Sequence, residues 1–180
     1  MSSISSLRTS RRRLLLALAA WPLAGLAGRA DAAKETPTAG LTRWGSGEFR
    51  RFGFLVYQAT LWVGGDDPVR PPLALRLTYQ RNIAGRDIAD ASVNEIRNLG
   101  IADDGRLKLW GEQMVNIFPD VRPGDQLLGL HLSEGARFFY NDRLLGSIDD
   151  AAFARAFFAI WLDPNTSAPA LRSALLKRPA

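Results

Sequence analysis

Residues 118–176 read FPDVRPGDQLLGLHLSEGARFFYNDRLLGSIDDAAFARAFFAIWLDPNTSAPALRSALL. Three apolar runs, Asp125–Leu132, Ala136–Tyr140 and Leu144–Ile148, have strand character, and Asn141-Asp142 supplies a hairpin turn between the last two. Asp149 or Asp150 then suits the cap of a helix. Within that helix Phe153, Ala156, Phe157, Ile160 and Trp161 recur at i, i+3, i+4, i+7 and i+8, the spacing of one buried face. It stops at Asp163-Pro164. Ser167 and Pro169 suit the cap and first turn of a final helix, Ala168–Leu176.

Upstream, Glu48–Phe52 and Phe54–Val63 read as two further strands. In the second, Leu55, Tyr57, Ala59, Leu61 and Val63 share one face by the period of two. Leu73–Tyr79 alternates Leu73, Leu75, Leu77 and Tyr79 against Ala74, Arg76 and Thr78. The period then lengthens. Ile88, Ser92, Ile96 and Leu99 mark one helix that ends at Gly100, and Leu107, Trp110, Met114, Ile117 and Phe118 mark a second that ends at Pro119. Strands, two helices, strands and two helices is an α+β order. It predicts an antiparallel sheet covered by helices on one face.

The N-terminus has the form of a targeting segment. Arg8 and Arg11–Arg13 precede the apolar run Leu14–Ala27, and Ala30-Asp31-Ala32 is a small-x-small cleavage site. Residues 1–32 are therefore expected to be a signal peptide cleaved after Ala32, with a periplasmic destination. Ser10-Arg11-Arg12-Arg13-Leu14-Leu15 also fits a twin-arginine motif, so the Sec and twin-arginine routes both stay open. The apolar run is too short for a membrane span, so no stable membrane insertion is expected. Residues 33–40 read as a disordered leader and 41–180 as one domain.

Of 23 basic and 18 acidic residues, the first 32 positions hold five basic and one acidic, leaving 18 against 17 and a net charge of +1. That balance gives no reason to expect nucleic acid as a partner. Cysteine is absent, which excludes a disulfide, a thiol nucleophile and a thiolate metal site. The remaining 148 residues suffice for one core.

Few residues can carry chemistry. His131 is the single histidine and sits within an alternating strand. No spacing of His, Asp and Glu points to a metal, and nothing calls for a cofactor. Asp103-Asp104 and Asp149-Asp150 precede helices, where capping explains them. Gly45-Ser46-Gly47 lacks the strand-to-helix setting of a phosphate loop. The pair that invites a ligand is Arg50 and Tyr57. A guanidinium and a phenol converging in an apolar cleft would hold a carboxylate or phenolate. The alternative is that Tyr57 packs in the core and Arg50 and Arg51 are solvated.

The FPDVRPGD turn, the FFAIWLDPNTSAPALRSALL ending, VYQATLWV at 56–63 and IADASVNEIRNLGI at 88–101 together resemble the bacterial branch of the chalcone isomerase-like family. The resemblance implies an open-faced β-sandwich with a ligand cleft between sheet and helices. In chalcone isomerases an Arg from the early strands and a hydroxyl residue from the next strand hold the substrate oxyanion. In the related fatty-acid-binding proteins an Arg and a Tyr hold a carboxylate. The hydroxyl position falls on Tyr57 and the Arg position near Arg50, with Arg51 and Arg43 as alternatives. The isomerases' G-x-x-Y-x-x-K pattern is departed from: at Gly85–Ala91 its Tyr becomes Ile88 and its Lys becomes Ala91.

The expectation is an exported binder of a small hydrophobic or aromatic acid, such as a fatty acid. Arg50 and Tyr57 would form the anion site, and Leu61, Ile88, Met114 and Phe157 the tail pocket. Two alternatives are an intramolecular lyase or isomerase acting on a phenolic substrate, and an envelope protein that works through an unidentified protein partner.

Overall fold

The computed structural model describes residues 36–178. The expected signal segment and the first residues of the expected leader lie outside them. Thr36–Gly40 form turns closed by the Ala39 amide donating to the Thr36 carbonyl at 2.8 Å. Six antiparallel strands follow in simple sequence order: β1 (Thr42–Arg51), β2 (Phe54–Val63), β3 (Leu73–Tyr79), β4 (Gln126–His131), β5 (Ala136–Tyr140) and β6 (Arg143–Ile148). Helices α1 (Gly85–Asn98) and α2 (Asp104–Ile117) connect β3 to β4, and α3 (Ala151–Leu162) and α4 (Pro169–Leu176) close the chain. This is the expected α+β open-faced sandwich.

The alternation in the sequence decides which face is covered. Val63, Leu73 and His131 lie side by side in register, as do Leu61, Leu75 and Gly129, and Ala59, Leu77 and Leu127. The apolar side chains of these rows, Ala59, Leu61, Val63, Leu73, Leu75, Leu77 and Leu127, belong to the main core, with the helices. On the opposite face Ala74, Leu128 and Phe139 form a small cluster under Trp62, Leu41 and Leu130. Arg76 lies 5.1 Å from the Trp62 ring there, a cation–π contact.

The strand β1 begins at Thr42, six residues ahead of the expected start. The glycines that hid it there serve packing. A Cβ at Gly45 would run into the Leu175 carbonyl oxygen, and one at Gly47 would come within 2.8 Å of the Ala174 methyl. The two bare positions let α4 lie directly on β1. The expected Ser167 cap is not made; Ala168 occupies the cap position of α4 without a side-chain bond.

The FPDVRPGD turn locks the start of α1. Asp120 accepts the Gly85 amide at 2.8 Å, and Ile83 and Val121 bridge the two segments. Gly85 has no room for a side chain beside the Phe118 carbonyl. Asp125 accepts from the Arg122 amide, the Tyr140 hydroxyl and the Asn141 amide group at 2.8, 2.8 and 3.1 Å. The acidic pairs cap helices as expected: Asp103 accepts the Arg106 amide at the start of α2, and Asp150 accepts two amides at the start of α3.

His131 belongs to the core. It is buried and its ring stacks on Phe158 with centroids 4.9 Å apart. Burial, helped by the nearby charge of Arg155, pushes its pKa down to about 4. Between pH 6.5 and 4 the unfolded chain takes up a proton that the folded imidazole refuses. Stability is therefore expected to fall through that window as the pH drops, by on the order of 2 kcal/mol. Urea melts from pH 7 to 4 on wild type and His131→Phe check this: the wild-type loss should shrink in the variant, and an equal loss in both would assign it elsewhere.

Candidate functional site

Between the sheet and α1, α3 and the start of α4 lies a cavity of about 280 Å³. That is near the low end for small-molecule pockets, about 300–1,000 Å³. Its floor is Tyr57, Leu77, Tyr79 and Leu127; its roof is Ile88, Ser92, Phe157, Ile160 and Trp161. The roof comes from turns of α1 and α3 whose apolar residues recur on one face, so the same periodicity that builds the core leaves this pocket beside it. Polar groups are few: Arg51, Asp87, Glu95, Ser92, Ser167, the two tyrosines and the Trp161 indole N–H.

Tyr57 sits where the sequence put it. Its hydroxyl accepts a hydrogen bond from Trp161 Nε1 at 3.0 Å. Because that bond uses a lone pair, the tyrosine's own proton remains available for a ligand oxygen. Burial raises its pKa far above the ordinary phenol value; the Glu95 charge adds to the rise and the Trp161 bond opposes it. Burial, with a contribution from Tyr57, raises that of Tyr79 likewise. Both are neutral donors at any physiological pH. Their rings meet edge to face at 5.9 Å, and Phe49 stacks on Tyr57 at 5.0 Å.

Arg50 does not join Tyr57. Its guanidinium donates to Glu48 at 2.9 and 3.1 Å and to the Gly53 carbonyl at 3.3 Å, and its side chain is 54% exposed. The cation at the cavity is Arg51. The reason is strand phase. Phe49 pairs with Tyr57 on the covered face, so Arg50 turns outward and Arg51 returns. The register slips after Phe49: Arg50 pairs with Leu55, and Val56 is the extra residue of a bulge in β2. Arg51 makes no salt bridge with any described residue within 4.0 Å; its guanidinium lies 5.5 Å from the Phe52 ring, so no carboxylate pairs with its charge. Arg43, the other alternative, donates to Ser46 at 3.2 Å and does not line the cavity.

Ile88 and Phe157 line the pocket as expected. Leu61 and Met114 do not; both are wholly buried in the core. Sequence reasoning missed Tyr79, Trp161 and Glu95 as wall residues. Tyr79 was already placed on the Leu73/Leu75/Leu77 face and Trp161 on the apolar face of α3. Their signal was present, and what was missing was the knowledge that the two faces meet.

Residues 44–177 match a family described as chalcone isomerase-like. The chain belongs to that family. An uncharacterized protein of Haemophilus influenzae is 34% identical over 134 residues, 73% of this chain and 66% of that relative. The chain thus spans just under two thirds of that relative's length. The crystal structure of an Arabidopsis thaliana fatty-acid binding protein superposes with a TM-score of 0.59 at 10% identity, over 76% of this chain and 87% of that one. At that identity the likeness is one of fold. In this chalcone isomerase-like chain Ile88 and Ala91, the two positions where the isomerase pattern would carry Tyr and Lys, both line the cavity. The wall there is apolar where the isomerase pattern is polar.

Proposed function

We propose that the protein binds a small hydrophobic carboxylate, such as a fatty acid, in this cavity without turning it over. The observation that carries the reading is Arg51, a cation with no salt-bridge partner among the described residues, beside a pocket whose walls are otherwise mainly apolar. Tyr57 and Tyr79 supply neutral donors, and Trp161 fixes the direction of the Tyr57 hydroxyl. A charge-assisted bond to a carboxylate gains strength in such surroundings. The fold of a fatty-acid binding protein supports the same reading. Export to the periplasm, motivated by residues 1–32, is part of the proposal.

Glu95 favours a second reading. Its charge reaches Tyr57 and would repel a carboxylate placed there, whereas it would accept a bond from a phenolic hydroxyl. A phenolic ligand with its oxyanion stabilised by Arg51 and Tyr57 is the isomerase reading. Ile88 and Ala91 weigh against it, since neither offers a proton or a charge.

One experiment addresses both ligand and location. The protein is recovered from the periplasm of the organism that encodes it. Native mass spectrometry, followed by organic extraction, identifies what travels with it. The expected result is a chain beginning at Ala33 with an amphipathic acid bound. An unprocessed cytoplasmic chain would remove the export proposal, and an empty cavity that no fatty acid fills on titration would remove the binding proposal. Acceleration of chalcone cyclisation over buffer would promote the second reading.

A further inference from the structure

The two most exposed large apolar side chains among the described residues, Phe52 at 88% and Phe54 at 60%, stand together on the β1–β2 turn. Phe52-Gly53 is a two-residue hairpin loop with positive φ at both positions, 51° and 82°. That geometry favours Asn, Asp or Gly, and a bulky residue pays for it in strain. The same molecule provides the contrast. The β5–β6 loop repeats the geometry with Asn141 and Asp142, φ 48° and 64°, the residues such a turn prefers. Phe52 therefore neither builds its turn well nor reaches the core. A strained, fully projecting aromatic points to function outside the fold.

Three arginines gather on this tip. The Arg51 guanidinium lies 5.5 Å from the Phe52 ring, that of Arg81 lies 4.6 Å from the Phe54 ring, and Arg50 donates to the Gly53 carbonyl. Glu48 answers Arg50, and Asp87 shares the cavity lining with Arg51, so the tip keeps a positive excess. Arg51 and Val56, at the two sides of the tip, line the cavity. Projecting aromatics ringed by arginines match the boundary of an anionic bilayer, where rings enter the headgroup layer and guanidinium groups meet phosphates. We propose that the β1–β2 turn docks on an anionic lipid surface, with Phe52 and Phe54 as the inserted side chains, bringing the cavity beside the bilayer.

The test must be local to the turn, because residues 1–32 carry basic and apolar side chains of their own. The chain has no cysteine, so a single introduced thiol carries an environment-sensitive fluorophore at one site. Gln80→Cys places it beside Arg81, and Leu144→Cys places it at the far edge strand. Vesicles of phosphatidylglycerol and phosphatidylcholine in equal parts should shift the Gln80-site emission to the blue and leave the Leu144 site unchanged. In the Gln80→Cys background, Phe52→Asn should weaken vesicle affinity about tenfold or more, and Arg81→Gln about fivefold. Phe52→Asn should melt no lower than its parent, since Asn suits the turn, which separates lost docking from lost folding. Absence of a shift at Gln80, equal shifts at both sites, equal affinity for vesicles of phosphatidylcholine alone, or full affinity in Phe52→Asn would each overturn the proposal. Self-association through the tip without a vesicle response would assign it to a second copy and overturn it as well. Dissolved fatty acid should bind Phe52→Asn as it binds wild type, so failure of the docking and failure of the cavity reading remain distinguishable.

Discussion

Arg51→Ala is expected to weaken binding of a long-chain carboxylate by about tenfold or more, while Arg50→Ala leaves it nearly unchanged. Losing one charge-assisted partner costs roughly 1.5–3 kcal/mol, which is a factor of ten to more than a hundred in affinity. The two arginines are adjacent in sequence and equal in charge, so long-range electrostatics cannot tell them apart. Only strand phase can. Arg50 already donates to Glu48 and to the Gly53 carbonyl, and removing it frees a carboxylate on the solvent side. Tyr57→Phe should cost less than Arg51→Ala, because it removes one neutral donor and keeps the ring stacked on Phe49. Glu95→Gln should tighten carboxylate binding by removing a like charge from the cavity. Calorimetric titration of a fatty-acid series and an aromatic-acid series into these variants reads all four effects. Equal losses in Arg51→Ala and Arg50→Ala would mean that the charge acts at a distance and the cavity has no anion site. Weaker carboxylate binding in Glu95→Gln would shift the assignment toward a ligand that donates to Glu95.

The fold was legible because its signals were redundant. In β3, Leu73, Leu75, Leu77 and Tyr79 alternate without exception and all face the helices. In α3, an Asp cap, a strict apolar spacing and Asp163-Pro164 agree on both ends. The site was less legible, for local reasons. After Trp44, β1 contains a single large aliphatic or aromatic side chain on its covered face, Phe49, amid glycines and charges, so the phase of its second half hung on one residue. Counting two from Phe49 reaches Arg51. The bulge at Val56 then perturbs the facing strand, and bulges leave no compositional mark. The start of β1 was hidden because Gly45 and Gly47 read as a loop until α4 is seen lying on them. Tyr57 was found because a phenol on an apolar strand face is conspicuous without any partner being known. Its partner Trp161 is 104 positions away and enters through helix packing, which no local pattern contains.

Asp150→Ala is expected to cost about 2–4 kcal/mol of stability. One carboxylate oxygen accepts the amides of Ala152 and Phe153 at 2.7 and 3.1 Å and so caps α3; the other accepts Trp110 Nε1 at 3.0 Å from α2. Loss of the cap costs about 0.5–2 kcal/mol. An unpaired N–H on Trp110, itself only 1% exposed, adds roughly 1–3 kcal/mol. A domain of this size has about 5–15 kcal/mol in total. Burial disfavours the charged carboxylate, but the Trp110 bond and the two amides outweigh it and hold the pKa below the usual range. Its contribution is therefore complete at neutral pH and is lost only as the pH falls through that lowered value. A double-mutant cycle separates the two roles. Trp110→Phe removes the N–H and keeps an aromatic ring against Phe153, whose centroid lies 5.7 Å from that of Trp110. In that background Asp150→Ala should cost only the cap, about 1 kcal/mol. Equal costs in both backgrounds, read from urea melts, would show that the Trp110 bond contributes nothing. The consequence reaches the cavity, because α3 carries Phe157, Ile160 and Trp161 in its roof. A helix loosened at its first turn holds Trp161 less firmly against the Tyr57 hydroxyl. Asp150→Ala should then weaken ligand binding at temperatures well below its melting point, although it touches no part of the site.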